Sequence, residues 1–231
     1  MVQEAVILAG GLGTRLRPVV TEVPKPLAPV AGRPFLHWLL GGLAKQGIRR
    51  VVLATGYRAD LIRQCLGDRH ADIDLAYSPE ATPLGTGGAL WAALAQCRED
   101  RVAVLNGDTW LGLDIAALAG EAPQADIVLA IRDVADRARY GSVQADGNRL
   151  LALEEKGLLG PGLVNGGAYL VRTDLPRRRP MPSAFALEQD VLAQPKGLDI
   201  RVHRTAAPFL DIGTPEDFDL AQELIPRWAA S

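Results

Sequence analysis

Short apolar runs alternate with amphipathic stretches through the first half of the chain. The runs predict strands over residues 4–9, 51–55, 73–77 and 102–105. Apolar residues at helical spacing between them predict helices over 35–46, 59–66 and 87–97. Strands that alternate with helices in this way are typical of a parallel sheet covered on both faces.

The pattern changes after about residue 125. Strands are predicted over 127–131, 141–145, 150–153 and 163–171, joined by turns such as Asp146-Gly147-Asn148. Two helices follow, one over 183–192 with Ser183 as its N-cap and one over 215–228 with Thr214 as its N-cap. The whole pattern predicts a single α/β domain over 1–231. We expect a three-layer, Rossmann-like architecture with a mixed, mainly parallel sheet and helices on both faces.

A glycine-rich loop follows the first predicted strand. The stretch Leu8 to Pro18 reads LAGGLGTRLRP, so that a buried strand opens into glycines followed by arginines. Successive glycine amides can converge on anionic oxygens, although such turns also occur where the chain only packs. A dinucleotide-binding fingerprint would need glycine where Leu16 stands, and a P-loop would need Gly-Lys-Ser/Thr where Thr14 and Arg15 stand. The loop therefore predicts a nucleotide held in another way.

Composition and charge exclude several classes of protein. The 231 residues carry 25 Lys plus Arg against 27 Asp plus Glu, a formal net charge of −2, which argues against a nucleic-acid coat. Only two cysteines occur, as expected in a reducing compartment. No basic leader precedes the first apolar run, and no run approaches the roughly 20 residues that cross a bilayer. We expect a cytoplasmic protein with no membrane or nucleic-acid partner.

Three charged residues stand where sheets of this kind bind ligands. Lys25 lies between two prolines in the segment 24–34, which we expect to be a stiff loop without helix over the top of the sheet. Asp108 follows a buried strand, and Asp211 follows another apolar run. A solvated lysine and plain turn aspartates are the alternatives. Two carboxylates from separate strand ends suit Mg²⁺, which usually takes one or two carboxylates plus substrate phosphates.

Three further motifs have both a structural and a binding interpretation. The segment PLGTGGAL (83–90) places glycines at a helix start, where they could meet an anion or press against a flat base. The segment LALEEKG (151–157) ends a strand in charges, as a hairpin tip also would. Asn165 and the glycine pair that follows it interrupt an apolar strand, which often marks close approach of a ligand or of backbone.

These segments, in this order, resemble the sugar-1-phosphate nucleotidyltransferases over nearly the whole chain. The motifs that carry the resemblance are LAGGLGTRLRP, PKPLAPVAGRP, PLGTGGAL, LNGD, EEK, NGG and DIGTPED. Within that family, RYGSVQAD, LEEKG, LVNGGAYLV and FALEQDVL are most similar to the members that use GTP and a heptose 1-phosphate. The resemblance implies a nucleotidyltransferase that forms an NDP-sugar for surface polysaccharide synthesis.

The resemblance also implies roles for particular residues. The nucleotide would be bound by Leu8, Ala9, Gly10, Gly11, Gly13, Thr14, Arg15, Lys25, Glu80, Gly85 and Asp108. The sugar 1-phosphate would be bound by Gly141, Glu155, Lys156 and Asn165. Catalysis would depend on Arg15, Lys25, Asp108 and Lys156, and Mg²⁺ on Asp108 and Asp211. Residues 1–125 would thus form a nucleotide-binding half, and 126–231 a sugar-phosphate-binding half.

The expected partners are an NTP, with GTP favoured, and a sugar 1-phosphate, in a chain that could form a homo-oligomer. Three alternatives stay open at this point: a mannose-1-phosphate guanylyltransferase, a uridylyl- or thymidylyltransferase acting on another hexose or N-acetylhexosamine 1-phosphate, and a catalytically silent nucleotide-sugar sensor. A sensor could lose one of its carboxylates, whereas Asp108 and Asp211 are both present here.

Overall fold

The computed structural model describes residues 1–11, 16, 20, 23–154 and 157–230. Its strands, in chain order, are β1 (Glu4–Ala9), β2 (Pro29–Val30), β3 (Arg33–Pro34), β4 (Arg50–Thr55), β5 (Arg69–His70), β6 (Ile73–Pro79), β7 (Arg101–Asn106), β8 (Thr109–Leu111), β9 (Ile127–Val134), β10 (Ser142–Asp146), β11 (Arg149–Glu154), β12 (Gly162–Arg172), β13 (Ile200–Arg204) and β14 (Phe209–Asp211). Its α-helices are α1 (Phe35–Lys45), α2 (Ala59–Leu66), α3 (Gly85–Leu94), α4 (Ile115–Glu121), α5 (Leu175–Arg178) and α6 (Pro215–Ala230). A 3₁₀ turn at Lys25–Leu27 and a π-helix at Leu187–Leu192 complete the set.

One ten-stranded sheet runs through the molecule in the order β10-β11-β13-β9-β12-β7-β1-β4-β6-β5. The block β7-β1-β4-β6 is parallel. Beyond β7 the sheet is mostly antiparallel, because β12 runs opposite to both β7 and β9, and β11 runs opposite to both β10 and β13. The mixed sheet is confirmed, but the predicted mainly parallel character holds for the first block, and beyond it only β13 and β9 are parallel. A two-residue turn such as Gly147-Asn148 can join only antiparallel strands.

Helices cover both faces of this sheet, as predicted. Neighbouring residues of β1 point to opposite faces, because side chains alternate along a strand. Ile7 packs in the core with Leu40 of α1 and Ile225 of α6. Val6 packs in the core on the other face with α3 and with Val191 of the π-helix. The arrangement has the three predicted layers.

The predicted helix over 183–192 is wrong in its first part. Ser183 is not an N-cap, and the helix begins only at Leu187, as a π-helix. The backbone of Phe185 is already bound to the start of α3: its amide donates to the Leu84 carbonyl at 2.9 Å, and its carbonyl accepts from the Gly87 amide at 3.0 Å. These contacts stop a helix from starting earlier.

The proline-rich segment also differs from its prediction as a loop without helix. Lys25–Leu27 form a 3₁₀ turn in which the Ala28 amide donates to the Lys25 carbonyl at 3.0 Å, and β2 pairs with β3 directly afterwards. Helix α4 was not predicted from the sequence; its N-cap Asp114 accepts from the Ala116 amide at 2.8 Å. By contrast, the Thr214 cap of α6 is confirmed, since its hydroxyl accepts from the Asp217 amide at 3.3 Å.

Among the described residues, no helix combines enough length with enough apolar character to cross a lipid bilayer.

Candidate active site

A lysine between two aspartates lies at the centre of the candidate site. The Lys25 ammonium is 2.6 Å from Asp108 Oδ2 and 3.2 Å from Asp211 Oδ1. Lys25 is buried, with 9% of its surface exposed, whereas the Asp108 side chain keeps 37% of its surface exposed. A buried cation is thus paired with two carboxylates, of which Asp108 keeps the larger exposed surface.

Local structure explains why these three residues meet. Asp108 lies between β7 and β8, and β8 pairs with β14 so that Asp211 stands opposite Thr109. The Ile212 amide donates to the Asp108 carbonyl at 3.0 Å. This hydrogen bond adds to the β8–β14 pairing in holding the segments of the two aspartates together. Lys25 is the first residue of the 3₁₀ turn Lys25–Leu27. It lies between Pro24 and Pro26, whose rings restrict the backbone on both sides of it.

A cavity of about 420 Å³ opens on one side of this group, at the carboxyl ends of the parallel strands. Its lining includes eight residues predicted to bind the nucleotide: Leu8, Ala9, Gly10, Gly11, Lys25, Glu80, Gly85 and Asp108. The described residues of the predicted nucleotide site therefore all line the same cavity.

Glu80 lies against two glycines at the floor of this cavity. A Cβ on Gly10 would come within 2.7 Å of Glu80 Oε1 and would displace this carboxylate. A Cβ on Gly56 would come within 2.1 Å of the same atom and within 2.9 Å of the Gly10 carbonyl oxygen, so backbone also excludes a side chain there. The other carboxylate oxygen, Oε2, accepts from the Leu84 amide at 2.8 Å, just before α3. Glu80 thus links the glycine loop to the start of α3.

The glycines at the start of α3 face protein backbone. The Gly87 and Gly88 amides both donate to the Phe185 carbonyl, at 3.0 and 3.3 Å. The anion-binding interpretation of this helix start is therefore wrong for these two amides. Gly85 lines the cavity, and a Cβ there would lie 2.5 Å from the Phe185 carbonyl oxygen.

A larger cavity of about 940 Å³ opens on the other side, in the antiparallel part of the fold. Gly141 and Asn165, both predicted to bind the sugar 1-phosphate, line it. Tyr140 and Phe209 form an aromatic wall, with ring centroids 5.5 Å apart in an edge-to-face arrangement. Burial raises the pKa of the Tyr140 phenol, so its hydroxyl stays protonated at neutral pH.

Asn165 shapes this cavity through a bulge in β12. Its side-chain Oδ1 accepts from the Gly167 amide at 2.8 Å, and its Nδ2 donates to the Tyr169 hydroxyl at 2.8 Å. The β12–β9 register shifts between Asn165 and Tyr169. Gly167 has φ of +71° there, and a Cβ would lie 2.9 Å from Asn106 Nδ2. The close approach predicted at this glycine pair is thus that of the Asn106 side chain at Gly167 and of the Ala130 backbone at Gly166, where a Cβ would lie 3.0 Å from the Ala130 carbonyl oxygen.

The two cavities adjoin. Thr86 and Asn106 line both of them, while Asp108 lines the smaller one and Asp211 the larger one. The Lys25–Asp108–Asp211 group therefore stands where the two spaces meet. Neither Thr86 nor Asn106 was predicted as a site residue, although Thr86 lies in the motif GTGG and Asn106 in the motif LNGD.

Some predicted site residues fall outside the part of the chain that the structure describes. They are Gly13, Thr14 and Arg15 of the glycine loop, and Glu155 and Lys156 after β11. The structure shows in addition that Glu188 and Gln189 of the π-helix line the larger cavity.

The three-layer fold, with two adjoining cavities at a pair of carboxylates, defines an α/β protein able to hold two ligands against one charged centre. Comparison with known proteins is more specific. The profile of the nucleotidyl transferase family matches residues 4–225, and the chain belongs to this family. The prediction of a nucleotidyltransferase is confirmed.

Individual relatives narrow the comparison. The chain is 39% identical over 229 residues to the D-glycero-alpha-D-manno-heptose 1-phosphate guanylyltransferase of Aneurinibacillus thermoaerophilus, covering 97% of this chain and 99% of that one. It is 38% identical to the protein of the same description from Campylobacter jejuni, covering 93% and 96%. The crystal structure of HddC from Yersinia pseudotuberculosis complexed with GMP-PN is similar, with a TM-score of 0.85, 36% identity and coverage of 96% and 99%.

Proposed function

We propose that the protein transfers a guanylyl group from GTP to D-glycero-α-D-manno-heptose 1-phosphate, releasing pyrophosphate and forming a GDP-heptose. The observation that carries the reaction type is the meeting of two cavities at Lys25, Asp108 and Asp211. The descriptions of the relatives, at 38 and 39% identity over nearly full length, support this base and this sugar.

The division of the chain into two binding halves belongs to the same proposal. Apart from Gly213, every described residue that lines the smaller cavity comes from residues 1–125, as a nucleotide-binding half would require. The larger cavity is lined mostly from residues 140–211, in support of a sugar-phosphate half over 126–231. Glu80 and Gly85 would contact the base. Gly141, Asn165 and the undescribed Glu155 and Lys156 would contact the sugar phosphate.

The chemistry needs alignment and charge rather than a protein nucleophile. An oxygen of the sugar phosphate attacks the α-phosphorus in line, forming a new O–P bond as the bond to the β-phosphate oxygen breaks and pyrophosphate leaves. Both reactants are polyanions, so the site must screen their repulsion and hold them in line. Lys25 supplies a fixed positive charge where the cavities meet, and Arg15 and Lys156 would add to it.

The aspartate pair suits a magnesium ion. Asp108 and Asp211 offer oxygen ligands from two strands, are tied together by the β8–β14 pairing, and each line a cavity. Among the described residues no cluster of three or more His, Cys, Asp or Glu could hold a metal by itself, which fits an ion that completes its ligands with phosphate oxygens and water. Bound there, Mg²⁺ would neutralise charge on the reacting phosphates.

The test is a pyrophosphate-release screen of the purified protein with and without Mg²⁺. It crosses GTP, UTP, dTTP, CTP and ATP with the 1-phosphates of D-glycero-α-D-manno-heptose, mannose, glucose and an N-acetylhexosamine. We expect Mg²⁺-dependent release that is highest for GTP with the heptose 1-phosphate. A preference for mannose 1-phosphate, or for UTP or dTTP, would change the assigned substrates but leave the reaction type unchanged. If no substrate pair released pyrophosphate although the protein still bound nucleotide, a sensor would be favoured.

A further inference from the structure

We propose that Glu188 recognises hydroxyl groups of the sugar 1-phosphate and that Thr86 positions its carboxylate. This inference rests on the proposed function and names a specificity-determining residue for it. Glu188 lies in the first turn of the π-helix and lines the larger cavity. π-Helical turns are rare and occur frequently at functional sites.

Thr86 fixes the carboxylate through a short chain of hydrogen bonds. The Thr86 hydroxyl donates to Glu188 Oε2 at 2.6 Å and accepts from the Leu187 amide at 2.9 Å. The single hydroxyl proton is therefore committed to Glu188. Thr86 stands in the first turn of α3, whose next two amides are bound to the Phe185 carbonyl. The Glu188 carboxylate is thus held between the start of α3 and the start of the π-helix, which are joined to each other through the Phe185 carbonyl.

The rest of the carboxylate is open to a ligand. An ionised carboxylate only accepts hydrogen bonds, at about four lone-pair positions. Thr86 occupies one of them, and within the described ranges no other residue donates a hydrogen bond to Glu188. A sugar offers several hydroxyl donors, and hydrogen bonds to an ionised acceptor are about twice as strong as neutral ones. The free acceptor positions therefore match the hydroxyl face of a sugar.

Charge also fixes the direction in which the sugar would bind. Glu188 lines only the larger cavity, and Lys25 lines only the smaller one. The Glu188 carboxylate repels a phosphate, whereas at the junction of the cavities the Lys25 ammonium and the proposed Mg²⁺ would offset the charges of Asp108 and Asp211. The sugar 1-phosphate is thereby oriented with its phosphate towards the nucleotide and its hydroxyls towards Glu188.

The first experiment compares Glu188→Gln with Asp190→Asn, using the substrate pair that the screen identifies. Both variants remove one negative charge from the same π-helix, but Asp190 does not line either cavity, and its carboxylate bonds to the Ala186 amide. We expect Glu188→Gln to raise KM for the sugar 1-phosphate about 10-fold, the effect of losing a hydrogen bond to a charged group. KM for the nucleotide should stay within about twofold, and Asp190→Asn should match the wild type.

An unchanged sugar KM in Glu188→Gln, or equal rises in both KM values, would overturn the proposal. Thermal unfolding of each variant shows whether a rise reflects folding. Inactivity of the wild-type protein would refute the proposed function instead, so the two failures are distinguishable.

The positioning role of Thr86 has its own test. Thr86→Val removes the hydroxyl at nearly constant shape, and Thr86→Ser keeps it. We expect Thr86→Val to raise the sugar KM severalfold in the wild-type background and to have little further effect in Glu188→Gln, because coupled residues are not additive. Thr86→Ser should behave as wild type. Additive effects of the two substitutions would contradict the positioning role.

Deoxy analogues of the sugar 1-phosphate test direct contact. For an analogue that lacks a hydroxyl bound by Glu188, the difference in KM between wild type and Glu188→Gln should shrink, whereas analogues that lack other hydroxyls should retain the difference of about 10-fold. If every monodeoxy analogue retained that difference, Glu188 would not contact a hydroxyl.

Discussion

The parallel and antiparallel parts of the sheet place their site residues in different ways. In the parallel block, Gly10, Glu80 and Asp108 all follow the ends of strands, and the carboxyl ends of parallel strands meet at one edge. In the antiparallel part, Asn165 lies inside β12 at a bulge, and Glu188 lies on a π-helix. Residues of the smaller cavity can thus be recognised by their position after a strand, whereas those of the larger cavity are placed by irregularities of the backbone.

The largest expected effect tests whether the charged centre needs both Asp108, which follows the parallel block, and Asp211, which lies in the separate β8–β14 ladder. We expect Asp108→Ala and Asp211→Ala each to lower the rate of pyrophosphate release by about 10² to 10³, the usual cost of removing one preorganised charged group. Asp72→Ala, at an exposed position, is the matched control and should keep wild-type activity. If Asp211→Ala kept its activity while Asp108→Ala lost it, the carboxylate needed for catalysis would come from the parallel block alone.

A second prediction concerns the junction between the two parts. In Gly88→Ala, the new Cβ would lie 2.3 Å from the Ser183 carbonyl oxygen. We expect a loss of about 1–3 kcal/mol in the free energy of unfolding, the usual cost of overpacking. In Gly41→Ala the Cβ of α1 meets nothing within 4 Å, so that variant should gain about 0.5–1 kcal/mol. Urea unfolding measures both, and equal stabilities would show that α3 and residues 183–187 are not tightly joined.

The smallest expected effect is confined to the antiparallel part. Tyr169→Phe removes the buried hydroxyl that accepts from Asn165 Nδ2. We expect a loss of about 1 kcal/mol in the free energy of unfolding, the net value of one hydrogen bond. The sugar KM should rise severalfold, because Asn165 is then less firmly held, while the nucleotide KM should not change. Steady-state kinetics with each substrate varied in turn measures the difference, and a matching rise in the nucleotide KM would show that the cavities are not independent.

The sequence predicted the regular parts of the fold better than its irregular ones. Helix α2 occupies the predicted residues 59–66, because its apolar spacing and flanking glycines act locally. The segment at Ser183 was mispredicted because contacts with α3, distant in sequence, decide its backbone. In the site, Lys25, Asp108 and Asp211 were all singled out, and the structure brings them together, while their roles stay predictions. Glu188 was missed because only the folded chain shows that it faces a cavity.

The short ladder between β8 and β14 limits how the length of the chain can vary near the site. This ladder pairs only Thr109–Leu111 with Phe209–Asp211 and belongs to neither block of the main sheet. A slip of one residue would move Asp211 by about 3.4 Å and turn its side chain to the other face. Functional groups tolerate displacements of only about 0.5 Å. Insertions in the connection 205–208 are therefore compatible with activity only when the added residues loop out and leave the pairing of Asp211 with Thr109 unchanged.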